Sequence, residues 1–365
     1  MDERLQQHAE IIVEHSTRVE PDDNVIVNAP LEAEDLAIAV MEKLGEVGAT
    51  ATLNLGSSRA SRAYQLAMDD DEWETPEHVL AMIEETDVSI SIRGDSNTFE
   101  SSDVPPETNQ ARQQEMGPIM DEYMQKRWLG TQFPAPGNAQ DAEMSTEGYA
   151  DFVFNAVNKD WDEQEAFQEN MVEILDRADE VRIVSGDTTD VTMSVDGNPT
   201  KNDWAEHNLP GGEVFTAPQP DSVEGEVLFD MPVMVQSREI TNVYLRFEDG
   251  EVVEHSADKN EEVLTSVLNT DEGASRLGEL GIGMNRDIDR FTYNMLFDEK
   301  MGDTVHMAIG RAYDDTVGEG NEVNDSTVHQ DMIVDMSEDS RIEVDGEVVQ
   351  RNGTFKFEDG FEDEA

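Results

Sequence analysis

Apolar residues in the first half of the chain keep two alternating rhythms. Leu5, Ala9, Ile12 and Val13 share a face at helical spacing, Pro21-Asp22-Asp23 interrupts them, and the run Val25-Ile26-Val27 follows. That order predicts helix, turn and strand. Leu36, Ala37, Val40, Met41 and Leu44 line one face of a predicted helix over 31–47, closed by Gly48, after which residues 50–55 alternate as a strand does. A further helix over 75–85 leads into Val88-Ser89-Ile90-Ser91-Ile92. Strands alternating with helices of this length predict an α/β N-terminal domain with a mostly parallel sheet.

Residues 93–160 are polar and Pro-containing, with the helical pattern of 149–157 inside them. A helix over 163–176 hands over to strands at 181–184 and 190–195, and a domain boundary is placed near Asp179, giving 1–178 and 179–365. Strands are then predicted at 226–235, 243–247, 304–309, 329–334 and 341–349, with one helix at 261–269, so the C-terminal domain reads as strand-rich α+β. The acidic tail 358–365 reads as disordered.

Charge changes the picture. The 365 residues carry 84 Asp and Glu against 24 Lys and Arg, a formal net charge of −60. Such a chain repels itself in dilute buffer, and about 1 M salt would shrink the screening length to roughly 3 Å, so a salt-adapted (halophilic) protein is expected. Only seven of the basic residues are Lys. The charge argues against nucleic acid and anionic membrane surfaces as partners, since no basic stripe is present. The absence of Cys removes disulfides, thiol nucleophiles and Cys-type zinc sites. The start of the chain lacks a basic then apolar leader, and no apolar run approaches the roughly 18 residues of a spanning helix, so a cytoplasmic location is expected.

Candidate chemistry is concentrated in four segments. In Ser326-Thr327-Val328-His329-Gln330-Asp331, a strand would project His329 and Asp331 from one face, a pairing suited to a divalent metal. His306 lies in an apolar strand, where taken singly it reads as a core histidine, and Glu299 precedes it across a Gly-containing turn. Two Gly-flanked glutamates, Glu213 in Pro210-Gly211-Gly212-Glu213-Val214 and Glu279 in Gly278-Glu279-Leu280-Gly281-Ile282-Gly283, read singly as ordinary turns.

Together, and in their order along the chain, the four segments resemble the metalloaminopeptidases typified by aminopeptidase T. Val19-Glu20-Pro21-Asp22-Asp23-Asn24-Val25, Arg127-Trp128, Phe133-Pro134-Ala135-Pro136, Met144-Ser145 and Asp160-Trp161 also look like that family's landmarks, so the resemblance spans nearly the whole chain. It implies a site for two divalent metal ions formed by Glu213, Glu279, Glu299, His306, His329 and Asp331. It also implies an active-site tyrosine at Tyr313, and a homodimer whose active sites open into a shared internal cavity.

The implied chemistry is coherent. Two divalent ions lower the pKa of a shared water to near 7 and polarise a peptide carbonyl. Oxygen and imidazole donors suit zinc, cobalt or manganese better than calcium. Glu279 or Glu299 would serve as general base, and Tyr313 would hydrogen-bond the oxyanion. The expected activity is removal of single residues from peptides with a free N-terminus. A two-metal amide hydrolase of non-peptide substrates and a non-catalytic, salt-adapted binding protein are the alternatives. Other signatures are missing, among them His-Glu-x-x-His, Gly-x-Ser-x-Gly and the phosphate loop.

Overall fold

The computed structural model of the protein describes residues 2–235 and 238–362. They form two compact units, one of residues 1–159 and 205–211, the other of 160–204 and 212–365. The boundary expected near Asp179 falls inside the second unit, because helix Trp161–Leu175 buries Met171, Val172 and Leu175 in that unit's core.

In the first unit, β-branched Val25, Ile26 and Val27 are buried in strand Asn24–Pro30, where such side chains pack well on a pleated surface. The sheet has five parallel strands in the order Thr50–Gly56, Asn24–Pro30, Val88–Arg93, Arg127–Gln132 and Asn208–Leu209. The opening helix Glu3–Glu10 continues as a π-helical turn, Ile11–Ser16. The polar stretch after Arg93 hides an 18-residue helix, Pro106–Tyr123, in which only Thr108 and Ile119 are buried.

The second unit is built mainly on a pair of antiparallel sheets. The larger runs Glu251–Ser256, Val243–Glu248, Glu224–Phe229, Thr189–Ser194, Glu180–Ser185, Ser340–Val344, Glu347–Arg351, Thr354–Phe355. The smaller runs His329–Asp335, Thr304–Gly310, Leu277–Gly283, Glu213–Thr216, Lys201–Asp203. Val181, Ile183, Val191 and Phe247 of the larger sheet join Leu280, Ile282, Val305, Met307, Met332 and Val334 of the smaller one in a single core.

Two strands expected to be continuous are broken. The segment 226–235 divides at Asp230-Met231-Pro232, and 341–349 is a hairpin whose turn residues Asp345 and Gly346 both have positive φ. The start of the acidic tail is ordered: Glu358 accepts from the backbone N–H of Phe355 at 2.8 Å and pairs with Arg286 at 2.6 Å. Residues 363–365 lie outside the described residues. Among the described residues, no helix is long and apolar enough to cross a membrane.

Candidate metal centre

The smaller sheet of the second unit carries the site on one face. Val305, Met307 and Ile309 turn into the core, so His306, Ala308 and Gly310 share the opposite face. On the neighbouring strand Leu280 and Ile282 are core residues, which leaves Glu279, Gly281 and Gly283 beside them. On the other neighbour Met332 and Val334 are core residues, which leaves His329 and Asp331 facing the site.

Cross-strand register then sets a small residue beside each donor. Glu213 pairs with Gly283, His306 with Gly281, Glu279 with Ala308, Asp331 with Ala308 and His329 with Gly310. A Cβ on Gly281 would collide with Cε1 and Nε2 of His306, so the imidazole lies directly across that glycine. A bulge at Gly278 shifts the register just before Glu279 and re-aims its carboxylate. Gly212, at φ +118°, packs so close to Asn285 that any side chain there would clash, and it delivers Glu213 into its strand. Gln168, fully buried on helix Trp161–Leu175, donates to the backbone carbonyl of Glu213 at 3.0 Å.

The donors form two triads. Glu213, Glu279 and His306 offer ligand atoms within 4.8 Å of one another, and so do Glu279, His329 and Asp331, with Glu279 common to both. Nε2 of His306 lies 3.2 Å from Glu213 Oε2 and 3.2 Å from Glu279 Oε1. Nδ1 of His329 donates to the Arg311 carbonyl at 2.8 Å, which turns the Nε2 lone pair toward Asp331 Oδ1 at 3.6 Å and Glu279 Oε2 at 3.9 Å. Glu213 Oε2, Glu279 Oε2 and Asp331 Oδ1 are buried without a hydrogen-bond partner among the described residues. Buried carboxylate oxygens left open and aimed at imidazole nitrogens are a donor set that a divalent cation would complete.

Electrostatics point the same way. Burial pushes the Glu213 carboxyl up to about 8 against the pull of the Lys300 ammonium. Burial also lifts Asp331 to about 6, with His329 opposing. Burial disfavours a charged His306, yet its hydrogen bond to Glu279 and the Glu213 carboxylate raise it to about 10. His329 is raised too, burial being outweighed by Asp331 and Glu279. Burial thus works against the charge of these carboxylates, and a divalent ion bound between them would offset that cost.

Glu299, expected among the ligands, belongs to neither triad; its Oε1 accepts from the Lys300 ammonium. Lys300 has no exposed surface and also lies 3.0 Å from Glu213 Oε1 and 3.7 Å from Asp203 Oδ2. Burial opposes its charge, but Glu213, Glu299 and Asp203 keep it protonated well above the ordinary lysine range. Tyr313 stands at the edge of the site, 44% exposed, its ring 4.9 Å from that of His329 and 6.4 Å from that of Phe215. Burial and then the Glu279 and Asp331 carboxylates raise its phenol above the usual value. Sequence reasoning missed Lys300, Asp203 and Gln168; the available signal for Lys300 was an ammonium directly following Asp298-Glu299 in a chain with few lysines.

The chain is similar to known proteins along its length. The family profile described as thermophilic metalloprotease (M29) matches residues 1–360. Aminopeptidase T of Thermus aquaticus is 27% identical over 94% of this chain and 94% of its own. Aminopeptidase AmpS of Bacillus subtilis (strain 168) is 27% identical over 97% of this chain and 99% of its own. The solved structure of wild-type AmpT from Thermus thermophilus superposes with a TM-score of 0.86 at 25% identity, covering 97% of this chain and 99% of that one.

Proposed function

The chain belongs to the M29 family of thermophilic metalloproteases and is a metal-dependent aminopeptidase, and from that premise we propose that it removes single residues from peptides with a free N-terminus by means of two divalent ions. The observation that carries the two-ion reading is the pair of triads that share Glu279. Glu213, Glu279 and His306 would hold one ion, and Glu279, His329 and Asp331 the other. Their mix of oxygen and nitrogen donors suits zinc, cobalt or manganese. When bound, the ions would supply a water whose pKa is lowered to near 7 and would polarise the scissile carbonyl.

The remaining work falls to side chains of this chain. Tyr313 keeps its phenolic proton throughout the neutral range and donates a hydrogen bond to the oxygen that gains charge at the scissile carbon, a role whose removal typically costs about 10² to 10³ in rate. Glu279 has an oxygen in each triad, so proton transfer from water to the departing amine falls to Glu299, the carboxylate outside both. The chain's net charge of −60 favours approach of the substrate's ammonium end. A homodimer and a cytoplasmic location belong to the same proposal, on the strength of family likeness.

The test is metal removal. Dialysis against a chelator is expected to abolish release of N-terminal residues, zinc, cobalt or manganese to restore it, and acyl-blocked peptides to stay intact throughout. Full-rate turnover by protein shown by mass spectrometry to be metal-free would overturn the mechanism. His329→Ala is expected to abolish turnover while leaving the unfolding midpoint nearly unchanged.

A further inference from the structure

We propose that Lys300 is a positioning residue that partitions the acidic cluster: it occupies one oxygen of Glu213, leaving the other for a metal ion, and it withholds Glu299 from the ligand set so that this carboxylate stays available for proton transfer. The inference rests on the two-ion reading and deepens it.

Its footing is geometric. The ammonium has three N–H bonds to give, and three carboxylates surround it: Glu213 through Oε1 at 3.0 Å, Glu299 through Oε1, and Asp203 through Oδ2 at 3.7 Å. The other oxygen of Glu213 is the one that faces His306 at 3.2 Å and lacks a hydrogen-bond partner among the described residues. Glu213 is thereby divided, one oxygen for the ammonium and one for the cation. Lys300 is itself held from both backbone ends. Its N–H donates to the Phe297 carbonyl at 3.0 Å and its carbonyl accepts from the Asn285 N–H at 3.0 Å.

Charge gives the arrangement a reason. Asp203, Glu213, Glu279, Glu299 and Asp331 place five carboxylates around the pocket, and Lys300 is the cationic side chain that answers three of them, meeting Glu213 on the oxygen turned away from the His306 imidazole. Without Lys300, nothing would keep Glu299 from competing as a ligand.

The experiment uses the full-length protein loaded with cobalt, whose visible spectrum reports its ligands, together with cobalt affinity measured by chelator competition. Glu299→Gln is expected to bind cobalt within about threefold of wild type with the same spectrum, whereas losing a true ligand should cost at least the roughly 10- to 100-fold typical of removing a ligand's hydrogen-bond partner. Lys300→Met is expected to change the spectrum as a new carboxylate oxygen enters, and adding Glu299→Gln to it is expected to remove that change. A tenfold or greater loss of affinity in Glu299→Gln alone, or a Lys300→Met spectrum indifferent to Glu299, overturns the inference; if Lys300→Met does not fold, Glu299→Gln decides by itself. Wild-type protein that takes up no cobalt overturns the two-ion reading along with it, whereas wild type holding two ions beside a perturbed Glu299→Gln overturns the inference alone.

Discussion

His8 is buried among the first unit's helices and strands, and its chemistry is confined to one hydrogen bond. Thr131 Oγ1 donates to the Leu209 carbonyl at 2.8 Å, so at 2.8 Å from His8 Nε2 it accepts, which fixes the neutral Nε2–H tautomer. Burial lowers the ring's pKa to about 3. The unfolded chain, titrating near 6.5, binds more protons than the folded one between those values. Stability should therefore fall as pH drops through 6.5 and keep falling toward about 3, by at most roughly 5 kcal/mol. Urea midpoints measured from pH 7 to 4 are expected to decline less steeply in His8→Gln than in wild type. At this scale the sequence was partly legible. His329 and Asp331 could be placed on one face because strand periodicity alone decides it, whereas Lys300 showed only its neighbour Glu299, since its importance lies in Asp203 and Glu213 being brought to it by the fold.

Elements were legible where apolar spacing is regular. Three of the first unit's five parallel strands and the helix Glu34–Val47 follow directly from it, whereas strands Arg127–Gln132 and Asn208–Leu209, set in polar stretches, did not show. Helix Pro106–Tyr123 escaped because its residues are polar nearly all round and Pro118 sits inside it. Strands Glu213–Thr216 and Leu277–Gly283 escaped for a different reason: Gly is a poor strand former, and glutamates flanked by it read as turns. In the sheet those glycines make room for donors on the next strand, a pattern visible only once register is known. Gly281→Ala is accordingly expected to displace His306, to lower metal content by about one ion per chain, and to cost about 1–3 kcal/mol from overpacking. Metal analysis beside thermal unfolding checks this; full metal content at wild-type stability would contradict it.

For the molecule as a whole, a charge of −60 governs behaviour more than any single pair. Basic side chains are shared out among acids: Arg182 pairs with Asp190 and Glu343, Arg276 with Asp221 and Glu251, Arg286 with Asp303 and Glu358. Exposed pairs of this kind contribute little each, about 0–1 kcal/mol, and cannot offset the excess of carboxylates. The thermal midpoint is expected to rise steadily from 0.1 M to about 1 M potassium chloride as screening tightens from roughly 10 to 3 Å. A flat response would show that the surface is not tuned to salt. Among seven lysines, six keep some contact with solvent and Lys300 has none. An amine-acylating reagent should thus modify six ε-amines of the native protein quickly and the seventh only when the chain opens, making that one slow mass increment an internal clock for unfolding.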